Sequence, residues 1–137
     1  MDAFDADVLI YAAVPGHPLG RRVLALLADG PDAPAGTGST LLLPEVLTRP
    51  LRDDAREELL ALTAMLSRLD LRPLDQAGAQ LAVALGAAHG LSAPDAVHLA
   101  TAVAAGADRF LTNNRRNFRQ SIAEIAITYP DELAEPA

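Results

Sequence analysis

Asp5-Ala6-Asp7-Val8-Leu9-Ile10-Tyr11 decides how the fold is read, because two acids lead straight into an apolar run containing β-branched and aromatic residues. The spacing predicts a short buried strand over residues 3–11, with Val8-Leu9-Ile10-Tyr11 as its apolar part. Side chains alternate along a strand, so Asp5 and Asp7 are expected on the same face. Carboxylates this close to a core strand are costly unless something uses their charge. The pair therefore reads as the first acidic corner of a metal site, whose other corners must come from elsewhere in the chain.

After this segment Pro15, Gly16 and Pro18 break the pattern, and Leu19, Val23, Leu26 and Leu27 predict a helix near 18–28 ending at Asp29-Gly30. The small-residue stretch Pro31 to Gly38 has room for a short strand. Ser39-Thr40 is expected to cap a helix carrying Leu42, Leu43, Val46 and Leu47, with Glu45 inside it. Asp53 to Leu69 predicts an amphipathic helix, and Leu71 to Asp75 a short strand leading to a turn. A helix over residues 76–89 closes at His89-Gly90, and another, capped by Ser92 with Pro94 in its first turn, runs to Gly106. Asp108 to Thr112 reads as a strand, Asn113 to Asn117 as a polar segment and Ile122 to Tyr129 as a last strand. The Pro/Glu/Ala tail over 130–137 is expected to fray.

Short strands alternating with helices predict an α/β sandwich with a mostly parallel sheet. Such sheets carry their sites at the C-terminal ends of strands, near the topological switch point. With 137 residues, no repeat and no evident linker, a single domain over 1–137 is expected.

Composition narrows the chemistry. There is no cysteine, which excludes disulfides, zinc thiolates and thiol nucleophiles and makes a reducing cytoplasm the expected home. No charged n-region with a following apolar region opens the sequence, and no apolar run is long enough for a bilayer, so neither signal peptide nor membrane span is expected. The net charge of −7 argues against a passive, sequence-blind nucleic-acid binder. It leaves room for an enzyme acting on nucleic acid, since divalent metals and a local arginine patch supply positive charge. All 11 cations are arginine, which removes every mechanism that needs a lysine.

Two positions join the opening pair. Glu45 sits among Leu43, Val46 and Leu47, and Asp95 stands in the first turn of Ser92-Ala93-Pro94-Asp95-Ala96-Val97-His98-Leu99-Ala100. Taken singly, each has an ordinary explanation. An acid near a helix N-terminus is favourable through the helix dipole, an isolated Glu is a common solvated helix former, and Asp5 and Asp7 can mark a strand end reaching solvent. His98, one helical turn after Asp95, reads as a packed core histidine, with a hydrogen bond near the site as the other reading. His17 and His89 fall at element ends.

Four segments, taken together and in order, resemble the motifs of PIN-domain ribonucleases. Asp5-Ala6-Asp7-Val8-Leu9-Ile10 resembles the opening Asp-x-Asn-Val-Leu-Ile, and Ser39 to Val46 resembles the Ser/Thr-capped helix presenting one Glu. Pro94 to Ala102 resembles the third motif, an Asp followed by a small-residue helix. Phe110 to Phe118 resembles the closing strand and its Thr-x-Asn/Asp loop. The resemblance spans residues 4–118, and the chain's size looks most like the toxin subunits of VapBC-type toxin–antitoxin pairs.

This resemblance implies a three-layer α/β/α sandwich and a Mg²⁺- or Mn²⁺-dependent endoribonuclease. Asp5, Glu45 and Asp95 are then the catalytic acids, with Asp7 and Asn114 as further metal ligands. Thr112, Asn114, Arg115 and Arg116, with Arg119 nearby, are expected at the RNA, the arginines gripping phosphates or forming a solvated basic turn. The implied partners are RNA, a cognate antitoxin and a second copy of the chain. The Leu-rich helices at 18–28 and 53–69 offer a dimer face or antitoxin groove, although core packing explains most of their leucines.

The fourth motif departs from the family. Many relatives carry Asp where Asn114 or Asn117 stands, and here both are amides, which add no charge. Asp7 occupies a position that is often Asn and is expected to replace part of that charge. The competing reading is a PIN-like binding or regulatory subunit with a weakened site. A haloacid-dehalogenase-type phosphatase also begins Asp-x-Asp, but its hydrophobic strand precedes the acids and it usually needs a lysine. A phosphoacceptor receiver domain fails for want of the same lysine.

Overall fold

Ala3 and Phe4 are both buried on one short strand but serve two different cores, so the sheet is covered on both faces. The computed structural model describes residues 1–28 and 33–137. Among these, β1 (Asp2–Phe4), β2 (Gly36–Ser39), β3 (Leu69–Arg72), β4 (Arg109–Leu111) and β5 (Ala126–Thr128) form one sheet in the order β3-β2-β1-β4-β5. Every pairing in it is parallel. Six helices accompany the strands: α1 (Ala6–Ala12), α2 (Pro18–Leu27), α3 (Leu42–Arg52), α4 (Arg56–Leu66), α5 (Gln76–His89) and α6 (Ala93–Ala104).

The two cores follow the two-residue period of the strands. Phe4 and Leu111 pack with Val8, Leu9, Val23, Leu42, Val46 and Leu62, from α1 to α4. Ala3, Phe110 and Ile127 pack with Leu85, Ala96, Leu99 and Phe118 on the α5/α6 side. This is the α/β/α sandwich expected from the alternation of elements. Each fully buried Leu or Phe in these layers contributes roughly 1.5–3 kcal/mol.

The opening segment departs from the sequence reading. The expected strand over 3–11 is only β1, and residues 6–12 are helical. Asp5 explains the switch, because its Oδ1 accepts from the Ala6 amide at 2.8 Å and caps α1. Val8, Leu9 and Ala12 are buried while Ile10 and Tyr11 are only half-buried, which is a helical pattern. An apolar run of four residues is too short to separate a period of 2 from one of 3.6.

Other boundaries also move. Ser39 ends β2, its Oγ accepts from the Leu41 amide at 3.0 Å, and α3 starts beyond it with no side-chain cap. The expected helix over 53–69 is shortened to α4, following a turn in which Asp54 has φ 52°. Its C-terminal end gives way to β3, so that strand begins at Leu69, before the predicted Leu71. α5 matches the predicted span and ends at Gly90, whose φ of 67° is the left-handed conformation glycine tolerates. Ser92 caps α6 as expected. Of the predicted last strand over 122–129 only Ala126–Thr128 pairs, while Ile122 and Ile125 are buried outside it. The predicted helix end at Asp29-Gly30 and the start of the stretch after it lie outside the described residues.

The tail expected to fray is anchored at its start. Pro130–Glu132 form a 3-10 turn, Leu133 is 6% exposed, and Arg22 donates to the carbonyls of Asp131 and Leu133 at 2.9 and 3.0 Å. Among the described residues no helix is long and apolar enough to cross a membrane.

The strand order fixes where a site can form. From β1 the chain moves outward through β2 and β3, then returns to β1's other side for β4 and β5. The order therefore reverses between β1 and β4, opening a crevice at their C-terminal ends. Asp5 and Thr112 directly follow those two strands.

Candidate active site

Thr112 Oγ1 donates to Asp5 Oδ2 at 2.8 Å, and the Asp5 amide donates to the Leu111 carbonyl at 2.9 Å. Both bonds cross the switch point. With Oδ1 held by the Ala6 amide, each oxygen of Asp5 has a fixed direction. Asp5 and Thr112 are both buried. Burial pushes the Asp5 carboxyl above the usual carboxylate range, and the nearby Asp95 adds to the rise. The Thr112 hydroxyl, His98 and the Ala6 amide act in the opposite direction.

Asp7 lies in the first turn of α1 and faces the same loop by a helical route, although the alternating-strand argument for it fails. Its Oδ2 accepts from the Asn113 amide at 3.0 Å, while Oδ1 is buried with no hydrogen-bond partner. Burial and then the charge of Asp5 push its carboxyl up to about 7, with Asp95 adding and the Asn113 and Val8 amides opposing. Asp5, Asp7 and Asp95 therefore sense one another's charge.

Asp95 is the third residue of α6, where helix-terminal amides favour a negative charge. Its Oδ2 accepts from Asn117 Nδ2 at 3.2 Å. Glu45, in the first turn of α3, places Oε2 3.0 Å from His98 Nε2. The Asn114 amide donates to Thr112 Oγ1 at 3.1 Å, and Asn114 Oδ1 accepts from the Asn117 amide at 3.3 Å. The loop after β4 is thus tied to α1 by Thr112 and Asn113 and to α6 by Asn117.

The structure ties Asp5, Asp7 and Asp95 to the loop after β4 through Thr112, Asn113 and Asn117, with Asn114 bonded to Thr112 and Glu45 to His98. Arg115 is directed elsewhere: its guanidinium pairs with Asp131 at 2.6 Å and lies 4.4 Å above the Tyr129 ring. In this structure the half-exposed Arg115 guanidinium is thus engaged by Asp131 and Tyr129. Arg116 is exposed and lines a neighbouring cleft. Sequence reasoning missed the contribution of Asn113, whose Nδ2 also donates to the Tyr11 hydroxyl at 3.4 Å. It also undervalued His98, whose one-turn spacing from Asp95 was the available signal. Among the described residues, no group of three or more Asp, Glu or His side chains stands as a preformed metal cluster.

Comparison with known proteins follows this geometry. The PIN domain family matches residues 3–122. Among curated proteins nothing matches. A toxin–antitoxin complex from Klebsiella pneumoniae contains a chain similar at TM-score 0.75 and 24% identity, covering 95% of this chain and 98% of that one. VapBC2 from Rickettsia felis, bound to a DNA fragment from its promoter, gives TM-score 0.70 and 19% identity over 93% and 97% of the chains. FitAB bound to an IR36 DNA fragment gives 0.68 and 21% over 98% of each. At these identities the structural likeness concerns the fold. The family match covers nearly all of the sandwich and every strand that borders the crevice, and the chain belongs to the PIN domain family of nuclease-type hydrolases.

Proposed function

We propose that this PIN domain is a Mg²⁺- or Mn²⁺-dependent endoribonuclease acting in the cytoplasm as the toxin of a toxin–antitoxin pair. The observation that carries the nuclease reading is the buried Asp5 carboxylate, fixed at the switch point by Thr112 and within electrostatic reach of Asp7 and Asp95. Gathering acids in a crevice raises the free energy of the empty fold, and a bound cation offsets that cost.

The residues fit such an ion. Asp5, Asp7, Glu45, Asp95 and Asn114 offer oxygen donors, and Asp7 Oδ1 is buried without a partner. Mg²⁺ is commonly held through one or two carboxylates with waters completing the shell, so a closed protein cage is unnecessary. When bound, the ion supplies positive charge at the scissile phosphate and eases deprotonation of the attacking water. Asp5 and Asp95 are assigned to hold it directly or through water, with Glu45 and Asp7 contributing charge from either side. Thr112 orients Asp5, His98 holds Glu45, and the Asn117 amide holds Asp95. Asp7 supplies charge that the amides of Asn114 and Asn117 do not.

The toxin role draws on the toxin–antitoxin complexes among the similar structures. An antitoxin and a second copy of the chain are the proposed protein partners. Apolar side chains left exposed, such as Leu51 at 67%, Leu60 at 61% and Val83 at 73%, offer surface for them.

One observation favours a second reading, a binding subunit with a weakened site: an amide, Asn117, occupies an oxygen of Asp95. Incubating a structured RNA with wild type, Asp5→Asn and Asp5→Ala, with Mn²⁺ or excess chelator, separates the two. The nuclease reading expects cleavage by wild type with metal alone. RNA binding without cleavage supports the second reading. Cleavage that persists in chelator or in either variant overturns the proposed mechanism.

A further inference from the structure

We propose that the cleft between the C-terminal end of α5 and the segment after Asn114 is a subsite for a backbone phosphate of the RNA strand beside the cut. The inference rests on the nuclease reading and names where the strand is held.

A chain of net charge −7 with four acids around its crevice repels a phosphodiester strand, so affinity needs cations that are free to act. Most of the arginines are already engaged. Arg22, Arg49, Arg52, Arg72, Arg109 and Arg115 form ion pairs, and Arg68 donates to the Leu27 carbonyl. Arg21, Arg56, Arg116 and Arg119 remain without a side-chain hydrogen bond or ion pair among the described residues. Arg21 lies on α2 and Arg56 opens α4. Arg116 and Arg119 instead share one cleft of about 460 Å³, together with His89, Asn117 and Ser121.

The cleft adjoins the acids through Asn117, which lines it and donates to Asp95 Oδ2 at 3.2 Å. A strand with its scissile phosphate at the acids therefore runs past Asn117 towards two unengaged guanidiniums. Arginine's planar fork suits phosphate oxygens. His89 Nε2 is engaged by Glu124 at 2.9 Å.

The test is the affinity of wild type for a non-cleavable 2′-O-methyl RNA oligonucleotide by fluorescence anisotropy in Mg²⁺ across a salt series. Arg21→Ala and Arg56→Ala serve as charge-matched controls. Arg116→Ala and Arg119→Ala are each expected to weaken binding several-fold and to lower the salt slope by about 0.7 per lost phosphate contact. The controls are expected to behave as wild type. If wild type cleaves RNA but the Arg116→Ala/Arg119→Ala double variant binds unchanged, the subsite is wrong and the nuclease reading stands. Equal losses in the control variants mean diffuse charge, which also overturns the subsite. A wild type that neither binds nor cleaves RNA overturns both.

Discussion

His98 Nε2 lies 3.0 Å from Glu45 Oε2, so an imidazole buried on α6 holds a carboxylate on α3. The two helices belong to cores on opposite faces of the sheet, and this bond joins them over its C-terminal edge. The other ring nitrogen, Nδ1, is buried with no partner. His98→Leu removes the donor and the orphaned nitrogen together, so stability should change by less than about 1 kcal/mol in urea unfolding. Mn²⁺ affinity, read by electron paramagnetic resonance, should fall about tenfold, as losses of ligand-orienting groups do. His98→Gln should recover part of it. Unchanged affinity in His98→Leu would remove His98 from the site.

The Thr112–Asp5 bond has a different signature, because both groups are buried and one is ionisable. Thr112→Val keeps the shape but strips the donor to Asp5 and the acceptor for the Asn114 amide. A hydrogen bond to a charged group contributes roughly 1.5–3 kcal/mol, so denaturation should show a loss of about 2 kcal/mol. Losing that donor also raises the Asp5 carboxyl further, because the Thr112 bond favours its ionised form. Metal binding should then shift to higher pH. Thr112→Ser should restore both, and a Thr112→Val protein as stable as wild type would contradict the bond.

Much of this was legible in the sequence, for identifiable reasons. α5 and α6 were marked by residues that act locally: Gly90 in the left-handed region, Ser92 at the cap and Pro94 in the first turn. The sheet and its layers followed from alternating elements. The opening segment was misread because Asp5 is at once the end of a strand crossing and the cap of a helix, and a short apolar run fits either period. Asp5 and Asp7 both bond the loop after β4, and they do so from a helix start, not from a strand. What stayed hidden were contacts between residues distant in sequence. Neither the Asp131 partner of Arg115 nor the Glu45 partner of His98 has a local signature.

Asp7 makes the metal-free protein sensitive to pH. Its carboxyl titrates at about 7 in the fold against 3.8 for the unperturbed group. The folded state therefore binds more protons than the unfolded chain between those values, and stability falls as pH rises through them. At about 1.36 kcal/mol per unit, the loss from this group reaches roughly 4 kcal/mol at most by pH 8. Asp5, also raised, adds to the same trend. Urea unfolding of wild type in chelator should show lower stability at pH 8 than at pH 5, and Asp7→Asn should flatten much of that difference. Mn²⁺ should stabilise wild type more at pH 8 than at pH 5, since binding then displaces fewer protons. A flat wild-type profile in chelator would mean the carboxyl is not perturbed.

The anchored tail yields a prediction that separates the structure from the frayed end expected on composition. Leu133 is 6% exposed and packs in the core that contains Val23 and Leu27 of α2, while Arg22 on the same helix binds the flanking carbonyls. Truncating a buried leucine removes its transfer free energy and leaves a cavity, so Leu133→Ala should lower stability by about 2–4 kcal/mol. A side chain on a frayed segment would change it by less than about 0.5 kcal/mol. Arg22→Ala should cost less than Leu133→Ala, since it leaves the apolar contact in place, but should speed proteolysis of the tail. The comparison is independent of the active site, because α2 and residues 130–133 contribute none of the crevice acids. Thermal unfolding of the two variants, with limited proteolysis across residues 130–137, therefore tests the packing of the tail whatever the chemistry proves to be.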